Sequence, residues 1–256
     1  MKDPRVLTDT SNKYTYNAWD IAYLTEEESK KLIDKIEKDN TLIKNDIEIT
    51  CRTPWETFYK NHKTNFYKDR SWILKDYPFI FNKRVLDAGC GVGNSLFNLK
   101  NAVGCDFSEN AISLAKERLP NLTFFVHDLT SDEEIEGKFD VILLIFTLSA
   151  IDPIFHKKIL KKLKNNLNDG GIIIIKDFGY MDFRQQKYKS EQIIKHNFYK
   201  RGDNTFTYFF KEHELIDMAT ELGFVPEIKM LNTLTVNRKR LVEMFRVTIS
   251  GILRLK

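Results

Sequence analysis

From residue 84 onward the apolar residues fall in short, nearly continuous runs, and the segments between several of them have helical spacing. Residues 84–89 (RVLDAG), 102–107 (AVGCDF), 121–128 (NLTFFVHD), 139–146 (FDVILLIF) and 170–178 (GGIIIIKDF) each read as a strand. The last two are apolar at successive positions, the pattern of a strand covered on both faces. Residues 108–118 and 153–166 read as helices, the second with the lysine-rich face HKKILKKLK. This alternation predicts an α/β fold: a mostly parallel sheet with helices on both sides. Residues 212–222 add a helix that Gly223 stops, and FVPEIKM and TLTVNRK predict two closing strands. Residues 180–210 do not fit the alternation and predict an insertion after the fifth strand.

The first fifty residues have a different texture. Leu24, Leu32, Ile33 and Ile36 recur at near-helical spacing among dense charges, and Thr25 with Glu28 three residues later has the form of a capping box. The spacing predicts one charged amphipathic helix over residues 25–40. The chain is therefore divided into an N-terminal extension, 1–53, and a main domain, 54–256.

Composition narrows the class. At 256 residues, 42% hydrophobic and 30% charged, the chain can bury a large core without staples. Cys51, Cys90 and Cys105 are too few and too scattered for a disulfide framework or a zinc site, and no metal is expected. The longest apolar run, VILLIFTLSAI, is about half a membrane span, so no membrane association is expected. The N-terminus has neither a secretory apolar core nor a transit-peptide arginine bias, which makes the cytoplasm, and alternatively the nucleus, the expected address. The net charge of +4, from 40 basic and 36 acidic residues, permits nucleic-acid binding without arguing for it.

Candidate chemistry centres on VLDAGCGVGN, residues 85–94: an apolar strand, then Gly89, Gly91 and Gly93, then an expected helix start. Glycines permit a tight turn and close approach of backbone to a ligand. Alone, this loop is compatible with many nucleotides. No lysine follows it, so it is not a P-loop. Asp106 ends the second strand, where a carboxylate can accept from two ribose hydroxyls. Asp128 ends the third and can accept from an exocyclic adenine amine. Three acidic strand ends and a G-x-G-x-G loop point to adenosine without pyrophosphate.

This set resembles the class I S-adenosylmethionine-dependent methyltransferases. The resemblance implies a Rossmann-like, seven-stranded sheet with S-adenosylmethionine across the carboxyl ends of its first strands. It puts Gly89, Gly91 and Gly93 at the methionine part, Asp106 at the ribose, Asp128 at the adenine and Ile145 in the pocket wall.

Ahead of the sheet, WETFYKNHKTNFYKDRSW (55–72) interleaves aromatic rings with Lys60, Lys63, Lys68 and Arg70. Rings can stack on an unpaired base and cations can contact phosphates; an ordinary packing strip with a solvated basic face reads equally well. Together with K-D-F-G at 176–179, R-G-D at 201–203 and T-V-N-R at 235–238, this segment resembles the eukaryotic tRNA N3-methylcytidine methyltransferases. That family has W-x-x-F-Y, T-N-F-[FY]-K-D-R, G-C-G-V-G-N, C-D-F-S and L-S-A-I at compatible spacing. Two departures stand out: its usual R-D-Y-G is K-D-F-G here, and its G-T-R is Asn204-Thr205-Phe206.

The resemblance implies methylation of N3 of a cytidine in the tRNA anticodon arm. It places Trp55 and Tyr59 over the donor and leaves open a protein partner such as an aminoacyl-tRNA synthetase. The methylated ring is cationic, so a carboxylate beside it is expected to assist, and Asp177 is the candidate. Phe66 and Tyr67 are candidates for stacking on the base. Lys68, Arg70, Arg201, Arg238 and Arg246 are candidates for phosphates. Residues 182–201 carry six basic against two acidic side chains, and residues 238–256 six against one. The N-terminal extension is expected to contact RNA or a partner. The rivals are a methyltransferase acting on a small molecule or protein, and a non-catalytic RNA-binding scaffold. An NAD oxidoreductase lacks any hydride-handling set.

Overall fold

The computed structural model describes residues 3–43, 49, 51–64 and 66–256. Its centre is an eight-stranded sheet. β1 (Ala18–Trp19), helix α1 (Glu26–Asn40), helix α2 (Arg52–His62) and helix α3 (Trp72–Asp76) precede the parallel strands. Those are β2 (Val85–Ala88), β3 (Ala102–Asp106), β4 (Thr123–Val126), β5 (Phe139–Ile145) and β6 (Leu167–Phe178), with α4 (Glu109–Arg118) after β3 and α5 (His156–Asn165) after β5. A separate three-stranded sheet, β7 (Ile193–Lys195), β8 (Phe198–Lys200) and β9 (Phe206–Tyr208), fills the expected insertion. Helix α6 (Glu212–Glu221) leads into a long hairpin, β10 (Phe224–Asn237) and β11 (Val242–Leu255).

The order across the sheet is β1-β10-β11-β6-β5-β2-β3-β4. β11 runs antiparallel to β6, and β10 and β1 continue the antiparallel edge. The chain leaves β2 toward one edge through β3 and β4, then returns to β5 on the other side of β2. The carboxyl ends of β2 and β5 thus flank a topological switch point, where sheets of this kind open a crevice.

Strand alternation divides the core in two. Ile142, Leu144, Ile173 and Ile175 face α5 and α6, while Val141, Leu143, Ile172 and Ile174 pack with residues of α3 and α4. Burying each such side chain contributes about 1.5–3 kcal/mol. This two-sided burial is why β5 and β6 read as unbroken apolar runs.

Several expectations change. FVPEIKM and TLTVNRK are one continuous strand, β10, because Thr233 lies in register with Arg246 without a break. Its partner is the chain's last segment. Residues after the glycine loop form turns, not a helix: Gly93, Asn94, Ser95, Asn98 and Asn101 favour turns, and Asn98 adopts φ 73°. The capping box of α1 forms as expected, with the Glu28 N–H donating to Thr25 Oγ1 at 3.2 Å and the Thr25 N–H to Glu28 Oε2 at 2.8 Å. The extension is docked on the main domain. β1 pairs with β10, and Leu32 and Ile36 pack on Tyr180.

Candidate active site

β2 ends at Ala88, and the chain turns through Gly89 at φ 79° and Gly91 at φ 53°, conformations in which a side chain is strained. Space forbids one too. A Cβ on Gly89 would lie 2.3 Å from Thr147 Cγ2, and one on Gly91 2.5 Å from the Tyr59 hydroxyl. Thr147, just past β5, donates to the Ala88 carbonyl at 3.0 Å and ties the two strand ends together. Gly93 faces elsewhere, against Leu119 and Phe124.

A cavity of about 400 Å³ opens at this switch point. Its wall includes Gly89, Asp106, Phe107, His127, Asp128, Phe146 and Thr147, with Trp55 and Tyr59 contributed by α2. Asp106 is 8% exposed. Its Oδ2 accepts the Gly91 N–H and its Oδ1 the Ser108 N–H, both at 2.9 Å. Burial outweighs these bonds and pushes its carboxyl up to about 6. Asp128 accepts the Thr130 N–H and hydroxyl through Oδ1, at 2.8 and 2.7 Å, which fixes the carboxylate in an Asx turn. His127 beside it is buried, and burial lowers its basicity.

Helix α2 covers the glycine loop because Trp55, Phe58 and Tyr59 share one face and bury against Val92 and Ala111. The Trp55 and Tyr59 rings stack at 5.8 Å. Glu56, which the sequence reading passed over, clamps this helix to the start of α4. Its carboxylate accepts from Ser108 Oγ at 3.0 Å, the Glu109 N–H at 2.7 Å and the Asn110 N–H at 3.2 Å. Two free helix N–H groups are thereby satisfied by a neighbouring helix. Phe107, Phe146 and Thr147 also went unremarked; each follows a strand end by one or two residues, a position that signals the cavity once the strand is bounded.

The structure brings Trp55, Tyr59, Gly89, Asp106 and Asp128 together. Ile145 is corrected: it points with Val141 and Leu143 into the core, and Phe146, at φ 57°, turns off the strand to line the cavity instead. Asp177 is also corrected. It is wholly buried and does not reach the cavity wall. Its Oδ2 accepts the Ser149 N–H at 3.0 Å and its Oδ1 the Phe178 N–H at 2.9 Å. Pleating turns it to the same side of β6 as Ile173 and Ile175, beneath the turn that follows Thr147. Burial raises its carboxyl to about 6.

Phe66 and Tyr67 do not line the cavity either. They pack on Phe58, at 4.8 and 6.0 Å, and Phe66 stays 46% exposed. Arg70 turns inward: it donates to the Ile145 carbonyl at 2.8 Å, lies over the Phe146 ring at 5.4 Å and opposes the charge of Asp87. Asp87, raised by burial to about 7, keeps an Oδ2 with no partner among the described residues. Arg201 pairs with Asp203 at 3.2 Å and Arg246 with Asp182 at 2.7 Å, while Lys68 and Arg238 are exposed. Among the described residues no His, Cys, Asp and Glu cluster could hold a metal, and no helix is long and apolar enough to cross a membrane.

The set fits an adenosyl ligand. The wall offers two anchored carboxylates at successive strand ends, a loop that tolerates no Cβ, and aromatic cover, while the buried His127 Nε2 lacks a partner among the described residues.

Comparison with known proteins agrees with this geometry. A family model described as a methyltransferase domain matches residues 60–227. The Drosophila melanogaster tRNA N(3)-methylcytidine methyltransferase Mettl2 is 32% identical over 277 residues, covering 96% of this chain and 85% of that protein. The Saccharomyces cerevisiae tRNA(Thr) (cytosine(32)-N(3))-methyltransferase is 31% identical, over 97% of this chain and 45% of its own length. Among solved structures, magnesium protoporphyrin IX methyltransferase from Synechocystis, with bound SAH, shares the fold at TM-score 0.53 and 16% identity, over 88% of this chain and 94% of that one.

Proposed function

Because this chain belongs to the tRNA N3-cytidine methyltransferases, we propose that it transfers a methyl group from S-adenosylmethionine to N3 of a cytidine in the tRNA anticodon loop. The observation that carries this reading is the cavity at the β2–β5 switch point, walled by Asp106 and Asp128, in a chain similar to such enzymes along 96% of its length.

Bound S-adenosylmethionine supplies an electrophilic methyl group on a sulfonium. Asp106 would accept from its ribose hydroxyls and Asp128 from its adenine amine, the Gly89 turn would let the backbone approach its methionine part, and Trp55 and Tyr59 would help exclude water. Neutral cytosine presents an in-plane lone pair at N3, so no residue has to remove a proton. Catalysis is then mostly alignment. N3 is occupied in a Watson–Crick pair, so the cytidine must be unpaired or extruded. Phe146, its ring held between Arg70 and Phe178 at 5.4 and 4.9 Å, is the aromatic surface at the cavity on the β5 side. Asp177 acts through the wall: it holds the Ser149 N–H and so fixes the turn that follows Thr147. It is a positioning residue.

Replacing the anticodon-loop cytidine of a tRNA transcript by uridine tests the assignment. Transfer should collapse, while a stem cytidine replaced with its pair should leave it intact. Undiminished labelling of the loop-substituted transcript would refute it. Running the same assay with and without an added aminoacyl-tRNA synthetase tests whether a protein partner is required.

A further inference from the structure

Asp182 opens the insertion and is wholly buried. It makes three bonds. Its Oδ1 accepts the Arg184 N–H at 2.8 Å, and its Oδ2 accepts the Val247 N–H at 2.9 Å and Arg246 Nε at 2.7 Å. One carboxylate thus ties the start of the insertion to strand β11. Arg246 engages through Nε alone, and among the described residues its two terminal nitrogens have no partner. Its side chain is 29% exposed.

The next turn carries further charge. Arg184 and Lys187 flank the short turn Gln185–Lys187, and both are exposed. Neither meets a carboxylate among the described residues; Lys187 rests on the Phe183 ring at 4.9 Å. Phe183 in turn donates its N–H to the Phe245 carbonyl at 2.8 Å, so this turn is bonded to the strand that bears Arg246. Asp182 thus binds the Arg246 side chain directly and the backbone of Arg184, and Lys187 lies on the same turn. Thr248, two residues after Arg246, pairs with Phe178 at the carboxyl end of β6. Phe178 touches Phe146 of the cavity wall at 4.9 Å. The cations thus lie past the carboxyl end of β6, on the same edge of the sheet as the cavity.

We propose that Arg246, Arg184 and Lys187 form a binding site for an RNA phosphodiester, and that the buried Asp182 is its positioning residue. This rests on the tRNA reading and names where the backbone is gripped. A guanidinium fixed by Nε presents its outer edge as a planar two-donor fork, which matches two phosphate oxygens and loses little freedom on binding. Arg246 Nε balances the charge of the buried Asp182 carboxylate beside its two backbone donors, and does so with one nitrogen, leaving the outer edge of the guanidinium without a partner among the described residues.

The test is anisotropy binding of unmodified tRNA to the full chain between 50 and 200 mM salt, with S-adenosylmethionine titrated in parallel. Arg184→Ala and Arg246→Ala should each weaken tRNA binding about tenfold and lower the slope of log affinity against log salt by about one, with donor affinity unchanged. Arg246→Lys should keep the slope and recover only part of the affinity. Asp182→Asn should reproduce the Arg246→Ala loss; where it fails to fold, Arg184→Ala decides, because that side chain does not touch Asp182. An unchanged slope in both alanine variants, or no tRNA binding by the parent chain, would overturn the proposal. If slope and affinity fall as stated but the parent chain forms no 3-methylcytidine, the phosphate site stands and the assignment of the reaction fails.

Discussion

Asp106 is a carboxylate placed where ionisation matters to its task. Burial lifts it from an ordinary value of 3.8 to about 6, against the pull of two backbone N–H groups. Above that pH it is charged and, in the proposed role, would accept from both ribose hydroxyls. Below it, the bound proton removes an acceptor. Donor affinity should therefore be flat from pH 8 to 7 and fall by up to about tenfold per unit below 6. Calorimetric titration across pH 5–8 checks this, and a flat profile would separate Asp106 from donor binding. The places of Asp106 and Asp128 in the cavity wall are legible in the sequence because each ends an apolar run, a local property. Those of Arg70 and Asp177 are not. Arg70 sits in a string of basic residues that looks solvated, and only the fold turns it inward onto Asp87 and Phe146. Asp177 lies in a run whose two faces are equally apolar, so the sequence does not say which face it takes.

At the scale of elements, the decisive piece is α2. Its aromatic spacing predicts a helix face, yet the same residues serve a packing strip or a ligand cover equally well in sequence. In the structure Phe58 packs inward, while Trp55 and Tyr59 both pack and line the cavity. What holds α2 in place is Glu56, through its bonds to the first turn of α4. Such a bond set contributes about 2 kcal/mol. Glu56→Ala should weaken donor binding about tenfold, chiefly through faster release, and stopped-flow fluorescence of the neighbouring Trp55 would follow it. Unchanged release would mean that α2 does not retain the donor. Ile145 shows the opposite limit of sequence reading. The expected pocket residue is displaced by one position, to Phe146, because the boundary of β5 depends on its pairing with β6.

At the scale of the molecule, the long hairpin β10–β11 completes the expected seven-stranded sheet, and β1 of the docked segment 3–43 adds one edge strand to it. The hairpin was not visible as such, because half of it reads as a basic tail. It carries Arg246 past the carboxyl end of β6, to the edge of the sheet on which the cavity also lies. The parallel half holds the cavity, and the antiparallel half with its insertion carries the cations, so on the proposed reading the two halves would divide the tasks of methyl donation and RNA grip. The most direct measurement is nucleoside mass analysis of bulk tRNA after incubation with labelled S-adenosylmethionine, comparing this chain with its Asp106→Ala variant. The account predicts label in 3-methylcytidine alone, and none from the variant. Label in another nucleoside, or equal 3-methylcytidine from both proteins, would contradict it.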